Sequence, residues 1–343
     1  MKKIVTLLDL KRHSRIMVLT DTNVAPLFLD QLLAVLPAAT TTTLVLPAGE
    51  KEKNITNVQK IWQALLTAQC DRKSLVINLG GGVISDMGGF AASTYMRGID
   101  FINIPTTLLS QVDASFGGKT AIDFAGVKNL IGTFAQPVKV IIDTDTLHTL
   151  PQRELLAGFA EVIKHGLIWD KKHFLQATAK HPTNFTKKEL TAIVTRSRQI
   201  KLEVVAKDPT EQGIRKQLNF GHTVGHALEA ISLNTAKPLL HGEAISIGMV
   251  AEANISQLMG LLSEADLLAI KKSLVNAGLP VSVEITNINH ILQKMKTDKK
   301  NEQGQINLTL LNGIGSAVQN QHVPESIIRE AIAWTQRGIR KQI

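Results

Sequence analysis

The stretch "SLVINLGGGVISDMGG", residues 74–89, decides the fold. Its first half is a short β-branched apolar run, the composition of a strand buried on both faces. Three consecutive glycines follow, and then a segment able to open a helix. Strand, glycine turn and helix together make half of a βαβ unit. The runs "RIMVLTD" (15–21), "TTLVLPAGE" (42–50), "FINIPTT" (101–107) and "VKVIIDTD" (138–145) share that character and end at Gly, Pro, Asp or Thr. Between the second and third strands, "NITNVQKIWQALLTAQ" places apolar residues at helical spacing. The pattern predicts a Rossmann-like, doubly wound parallel sheet as an α/β domain over residues 1–150.

Beyond "LHTLPQRE" (147–154) the texture changes, and Pro151 marks the expected boundary. Helical periodicity dominates in "LLAGFAEVIKHGLI", "LTAIVTRSRQIKLEVVAKD" and "EAISIGMVAEANISQLMGLL". One late β-like stretch, "QINLTLLNGIGSAV" (305–318), reads as a short hairpin. Residues 151–343 are therefore expected to form a mainly helical domain, the one that contains the candidate metal- and substrate-binding residues.

Composition narrows the function classes. Of 343 residues, 44% are hydrophobic and 20% charged, as in a globular protein. Aromatics are only 4%, which argues against base-stacking surfaces for nucleic acid. The net charge is +9 without a dense basic run, a balance that suits small phosphorylated ligands better than nucleic acid or a membrane. Cys70 is the only cysteine, so a disulfide framework and a thiolate metal cluster are both excluded. The N-terminal segment has no long apolar core, and no window reaches ~18 uninterrupted apolar residues. These features suggest a reduced, cytoplasmic protein.

Several loops hold more polar groups than a simple connection needs. In "NLGGGVISDMGG" (78–89) the glycines let backbone amides approach a phosphate at a helix N-terminus, or else make a tight turn. Asp86 there can cap the helix or meet a cofactor. Glu50 and Lys53 lie one helical turn apart after the second strand, where an acidic group suits ribose hydroxyls. "PTTLLSQVDASFGGKT" (105–120) carries Thr106, Thr107, Asp113 and Lys119, and Lys128 and Asn129 follow in "VKNLIG". Glu161 and Lys164 form an i, i+3 pair in an otherwise apolar helix, so the pair faces an interior or a cleft. Downstream, "GIRKQLNFGHTVGHALEA" (213–230) aligns Arg215, Asn219, His222 and His226, and "LLHGEAISIGM" adds His241. His222 and His226 have metal-ligand spacing but lack the glutamate of a zinc-protease helix. Mixed His and Glu donors without cysteine are the pattern of a catalytic zinc-type site.

Taken in order, "LGGGVISDMGGFAASTYMRG", "IPTTLLSQVDASFGGKT", "AGFAEVIKHGLI", "LNFGHTVGHALE" and "HGEAISIGM" resemble the 3-dehydroquinate synthase family of sugar-phosphate cyclases, from about Thr20 to about Leu310. The resemblance implies NAD and one divalent metal, Zn or Co, as cofactors. It implies conversion of 3-deoxy-D-arabino-heptulosonate 7-phosphate to 3-dehydroquinate and phosphate, within the shikimate pathway. That conversion runs through transient oxidation by NAD, phosphate elimination, re-reduction and aldol closure. Glu161, His222 and His241 become the metal ligands, and His226 becomes a neighbour engaged in acid–base work. Asp113, Lys164 and Asn219 would face the substrate. Lys119, Lys128, Asn129 and Lys300 (or Lys299) would hold phosphate, with Arg97 reaching from the second subunit of a homodimer. Lys201 and Arg215 would hold the carboxylate. Cofactor contacts would come from Asp21, Asn23, Glu50, Lys53, Gly81, Gly82, Asp86, Thr106 and Thr107. The family's usual "GGKTGINHPxGKN" reads here "GGKTAIDFAGVKN", so Ala121, Asp123, Phe124 and Val127 depart from it, as does Ser85 in the glycine loop. A metal-dependent NAD polyol dehydrogenase or a sister cyclase acting on an uncarboxylated sugar phosphate are the alternatives. No stripe or aromatic platform supports a nucleic-acid-binding module.

Overall fold

The computed structural model describes residues 10–233, 235–283, 287–296 and 306–337. The chain divides after Leu150 into two compact units.

In the first unit, strands β1 (Ile16–Asp21), β2 (Thr41–Leu46), β3 (Leu75–Gly80), β4 (Asp100–Pro105) and β7 (Lys139–Val140) form one parallel sheet in the order β2-β1-β3-β4-β7. Alternation along the strands sends successive side chains to opposite faces. Met17 and Leu19 pack on one side with helices α2 (Ile55–Thr67) and α3 (Gly82–Thr94). Ile16 and Val18 pack on the other with Phe28 and with Leu32 of α1 (Asp30–Leu33). Both faces are covered, which is why every residue of β1 and β3 is buried, the polar Thr20 and Asn78 included. The last expected strand, 138–145, shrinks to two residues, since only Ile102 and Asn103 of β4 pair with it. The segment carrying Lys119, Lys128 and Asn129, expected as a glycine-rich loop, instead forms an antiparallel hairpin of β5 (Lys119–Phe124) and β6 (Val127–Phe134). Its alternation is masked because Leu130, Ile131 and Phe134 are apolar yet exposed.

The second unit is mainly helical: α4 (Gln152–Trp169), α5 (Lys171–Ala177), α6 (Lys187–Lys207), α7 (His222–Ser232), α8 (His241–Leu258), α9 (Glu264–Asn276), α10 (Ile288–Lys296) and α11 (Glu325–Arg337). The expected late hairpin is present as β8 (Asn307–Leu311) and β9 (Ala317–His322). Val224 and Leu228 of α7, Ile247 and Ile255 of α8, Ile291 of α10 and Ile328 of α11 share one core. Glycines set how closely three of these helices approach. A Cβ on Gly248 would collide with the Gly221 carbonyl oxygen, and one on Gly242 with the Ala157 carbonyl oxygen. Backbone therefore meets backbone where α8 crosses α7 and α4. No helix among the described residues is long and apolar enough to cross a membrane.

Candidate functional site

In the first unit the residues expected at a cofactor gather at the carboxyl ends of the parallel strands. That edge is where open α/β sheets bind ligands, and in this strand order the switch point falls between β1 and β3. Asp21 ends β1 and accepts the N–H groups of Asn23 (2.9 Å) and Val24 (3.0 Å), which locks the first loop. Gly81 occupies the N-cap of α3 without any side-chain cap, and no acidic residue stands in the helix's first turn. The amides at Gly81 and Gly82 thus present the positive end of a helix. Thr106 is buried beside them, and its hydroxyl has no hydrogen-bond partner. An uncapped helix start and an orphaned hydroxyl suit an anionic nucleotide.

Asp86 does not cap this helix. It lies a full turn inside α3, and its carboxylate accepts from Lys53 Nζ at 2.5 Å. Lys53 also donates to Asn129 Oδ1 at 2.5 Å. Burial works to discharge Lys53, but the carboxylates of Asp86 and Glu50 outweigh it and hold the ammonium above the ordinary lysine pKa. Lys128 pairs with Glu50 at 3.2 Å, and Asp123 accepts the Asn129 N–H at 2.8 Å. The hairpin thus brings Lys128 and Asn129, expected at a phosphate, against Glu50, Lys53 and Asp86, expected at the cofactor. Asp123, one of the departures from the usual family pattern, braces the Asn129 end of that hairpin. Lys119 opens β5 and is exposed, and Asp113 sits half-buried in the short turn Ser110–Ala114. Arg97 is exposed on a turn in which Met96, Arg97 and Gly98 all have positive φ (49°, 70° and 118°).

The second unit holds a cluster of a different kind. Residues 157–168 of α4 are all buried, so Glu161 and Lys164 meet as a buried ion pair. Glu161 Oε1 lies 3.6 Å from His222 Nε2 and 3.6 Å from His241 Nε2. That spacing is too long for hydrogen bonds. It is close to the ~3.3 Å expected between neighbouring ligand atoms of a tetrahedral site with bonds of about 2.0–2.1 Å. His222 Nδ1 faces the Phe220 carbonyl at 3.0 Å, so donation there makes Nε2 the unprotonated nitrogen of the neutral ring. Burial opposes charge on His241, yet Glu161 and Glu229 raise its pKa to about 10. The cluster therefore favours a cation, and one carboxylate with two imidazoles fits a zinc-like ion. His226 is half-buried one turn along α7, its ring 5.2 Å from that of His222 and 5.8 Å from that of His241.

Arg215 and Asn219 lie on the turn Ile214–Asn219, which packs against α6, the helix carrying buried Lys201. Arg215 Nη1 donates to the Pro209 carbonyl at 2.5 Å, and Asn219 Nδ2 donates to Glu211 at 2.7 Å. Lys299 and Lys300 lie outside the described residues.

Three acidic residues escaped the sequence reading. Glu211 holds Asn219. Glu252, fully buried on α8, accepts the N–H groups of Gly221 (2.6 Å), Thr223 (3.0 Å) and Val224 (3.1 Å), so it anchors the start of α7 where His222 stands. Glu229 faces His241 Nδ1 at 3.4 Å. A lone charge in the apolar run "IGMVAEANIS" was the available signal for Glu252, and the i, i+3 spacing from His226 was the signal for Glu229.

The chain is similar to known proteins over most of its length. The family model described as 3-dehydroquinate synthase N-terminal matches residues 43–157, and 3-dehydroquinate synthase C-terminal matches residues 158–301. The chain is 45% identical over 328 residues to a 3-dehydroquinate synthase of Vibrio atlanticus, covering 94% of this chain and 90% of that protein. A 2-deoxy-scyllo-inosose synthase solved with carbaglucose-6-phosphate, NAD+ and Co2+ superposes with a TM-score of 0.87 at 25% identity, covering 96% of this chain and 93% of the other. A 2-epi-5-epi-valiolone synthase from Streptomyces hygroscopicus with NAD+ and Zn2+ bound gives a TM-score of 0.87 at 28% identity, covering 97% and 94%.

Proposed function

The chain belongs to the 3-dehydroquinate synthase family, and on that premise we propose that it closes the ring of 3-deoxy-D-arabino-heptulosonate 7-phosphate to give 3-dehydroquinate and phosphate. The observation that carries this reading is the Glu161–His222–His241 cluster, with Glu161 and His222 buried and His241 half-buried, a candidate cation site built without cysteine. In this reading Glu161, His222 and His241 hold zinc or cobalt, and the strand ends of the first unit hold NAD. A metal held there would supply polarisation of substrate oxygens, and NAD would supply reversible hydride acceptance with no net redox change.

The chain's own residues bind, orient and move protons. Lys119, Lys128, Asn129 and Lys300 (or Lys299) neutralise the phosphate, and Lys201 with Arg215 neutralises the carboxylate by charge-assisted hydrogen bonds. Asp113, Lys164 and Asn219 orient the hydroxyls, and His226 exchanges protons through its ring nitrogens. Orientation of one substrate through successive steps supplies several kcal/mol by itself. A polyol dehydrogenase needs no such basic set. The test is phosphate release: the purified chain should release phosphate from the heptulosonate phosphate only when NAD is present, with no accumulating NADH. Steady NADH formation from a simple polyol, without phosphate release, would establish the dehydrogenase instead.

A homodimer belongs to the same reading. Its support is the run of positive φ that displays Arg97, a conformation costing about 1–3 kcal/mol per non-glycine residue, together with exposed Phe124, Leu130, Ile131 and Phe134 on the β5–β6 hairpin. Light scattering at micromolar concentration should give twice the chain mass. A monomer with full turnover would remove Arg97 from the site. A cytoplasmic location also goes with the reading, supported by the single, free and buried thiol of Cys70; fractionation of cells that recovers the protein elsewhere would sink it.

A further inference from the structure

His241 stands between two buried carboxylates. Its Nε2 faces Glu161 Oε1 at 3.6 Å, and its Nδ1 faces Glu229 Oε2 at 3.4 Å. Two donor groups therefore share this one ring: Glu161 with His222 and His241, and His226 with Glu229 and His241. The ring cannot serve both as a single-metal ligand set, because each nitrogen points one way.

We propose that Glu229 is the positioning residue of the metal centre, and that it holds His241 with Nδ1 protonated so that Nε2 remains for the ion. This rests on the metal-dependent reading above. The geometry of the other histidine supports it. His222 has its Nδ1 occupied by the Phe220 carbonyl at 3.0 Å and likewise turns Nε2 toward Glu161. Both ligand histidines thus have the same tautomer fixed from behind, one by a backbone carbonyl and one by a carboxylate. Ligating histidines held this way keep their ring orientation and gain basicity. The carboxylate is the stronger device, since its hydrogen bond is charge-assisted.

The placement of Glu229 is rigid. It is buried and lies on α7, the helix that also carries His222 and His226. The start of that helix is anchored by Glu252. Glu229 is one turn from His226 and two from His222, so all three project from one face. Occupying His241 Nδ1 also denies that nitrogen to any ion held by His226, which leaves His226 outside the coordination sphere.

The test is zinc affinity of the full chain, measured by competition with a chromophoric chelator, together with the visible spectrum of the Co2+-loaded protein. Circular dichroism and melting curves report folding. Glu229→Ala should weaken zinc binding by about 10–100-fold and alter the Co2+ bands while the chain stays folded. Glu229→Gln keeps an acceptor for Nδ1–H but not its charge, so it should show a smaller loss of about 3–10-fold with shifted bands. Zinc affinity and Co2+ bands unchanged in Glu229→Ala overturn the proposal. So do equal losses in both variants and in His226→Ala, which would make Glu229 a ligand. If the alanine variant does not fold, the glutamine variant decides: a parent-like affinity and spectrum overturn the proposal, and a loss of about 3–10-fold with shifted bands supports it. A parent chain that takes up no zinc sinks the functional reading itself, whereas unchanged uptake in the variants sinks only the role of Glu229.

Discussion

Glu161→Gln should bind no stoichiometric zinc and release phosphate at least about 10³-fold more slowly, because the several kcal/mol of charge stabilisation available from the ion is lost. The substitution removes the one carboxylate that faces both His222 Nε2 and His241 Nε2. It also strands the Lys164 ammonium, which is 1% exposed and paired with Glu161. An uncompensated buried charge costs about 3–5 kcal/mol. For a unit of this size that is a fall in melting temperature of about 10 °C. Activity and stability can be separated with a second substitution. Glu161→Gln/Lys164→Met removes the stranded charge and should recover most of the melting temperature without recovering metal. Metal analysis of the purified variants checks the first half, and calorimetry checks the second. Full zinc content in the double variant would remove Glu161 from the ligand set.

His241→Ala and His226→Ala should fail differently. On the proposed ligand set, the first removes a metal-binding nitrogen, so metal content falls with turnover. The second keeps metal and loses about 10²–10⁴-fold in turnover, the usual contribution of a positioned proton-transfer group. The difference comes from placement: His226 is one turn beyond His222, half-buried, and its ring lies 5.8 Å from that of His241. Equal metal content in the two variants, by metal analysis at matched protein concentration, would merge their roles.

The residues behind both predictions differ in how much of their role the sequence carries. The motif "LNFGHTVGHALE" places His222 and His226 on one helix face by periodicity alone. It does not distinguish their roles, because i, i+4 geometry is the same for a ligand and for its neighbour. Glu161 and Lys164 were legible as an interior pair, since a charge in an apolar helix must find a partner. The β5–β6 hairpin was not legible. Its exposed Leu130, Ile131 and Phe134 break the alternation that identifies a strand with one wet face. Asp86 was open to two readings, and its distance from the helix start, with Lys53 at 2.5 Å, removed capping. Glu252 and Glu229 gain their meaning from partners on another helix, so no window of sequence contains both halves of the contact.

By itself the sequence determined the parallel sheet and the glycine turn. It also determined the mainly helical second unit and the absence of any thiolate metal site. These follow from local periodicity and composition, which act within a few residues. Only the tertiary structure decided which nitrogen of each histidine faces Glu161, and that Glu252 anchors the helix bearing His222. Those choices depend on the distance at which α4, α7 and α8 cross. That distance is set by the absence of a Cβ at Gly242 and Gly248, where backbone touches backbone across elements remote in the chain.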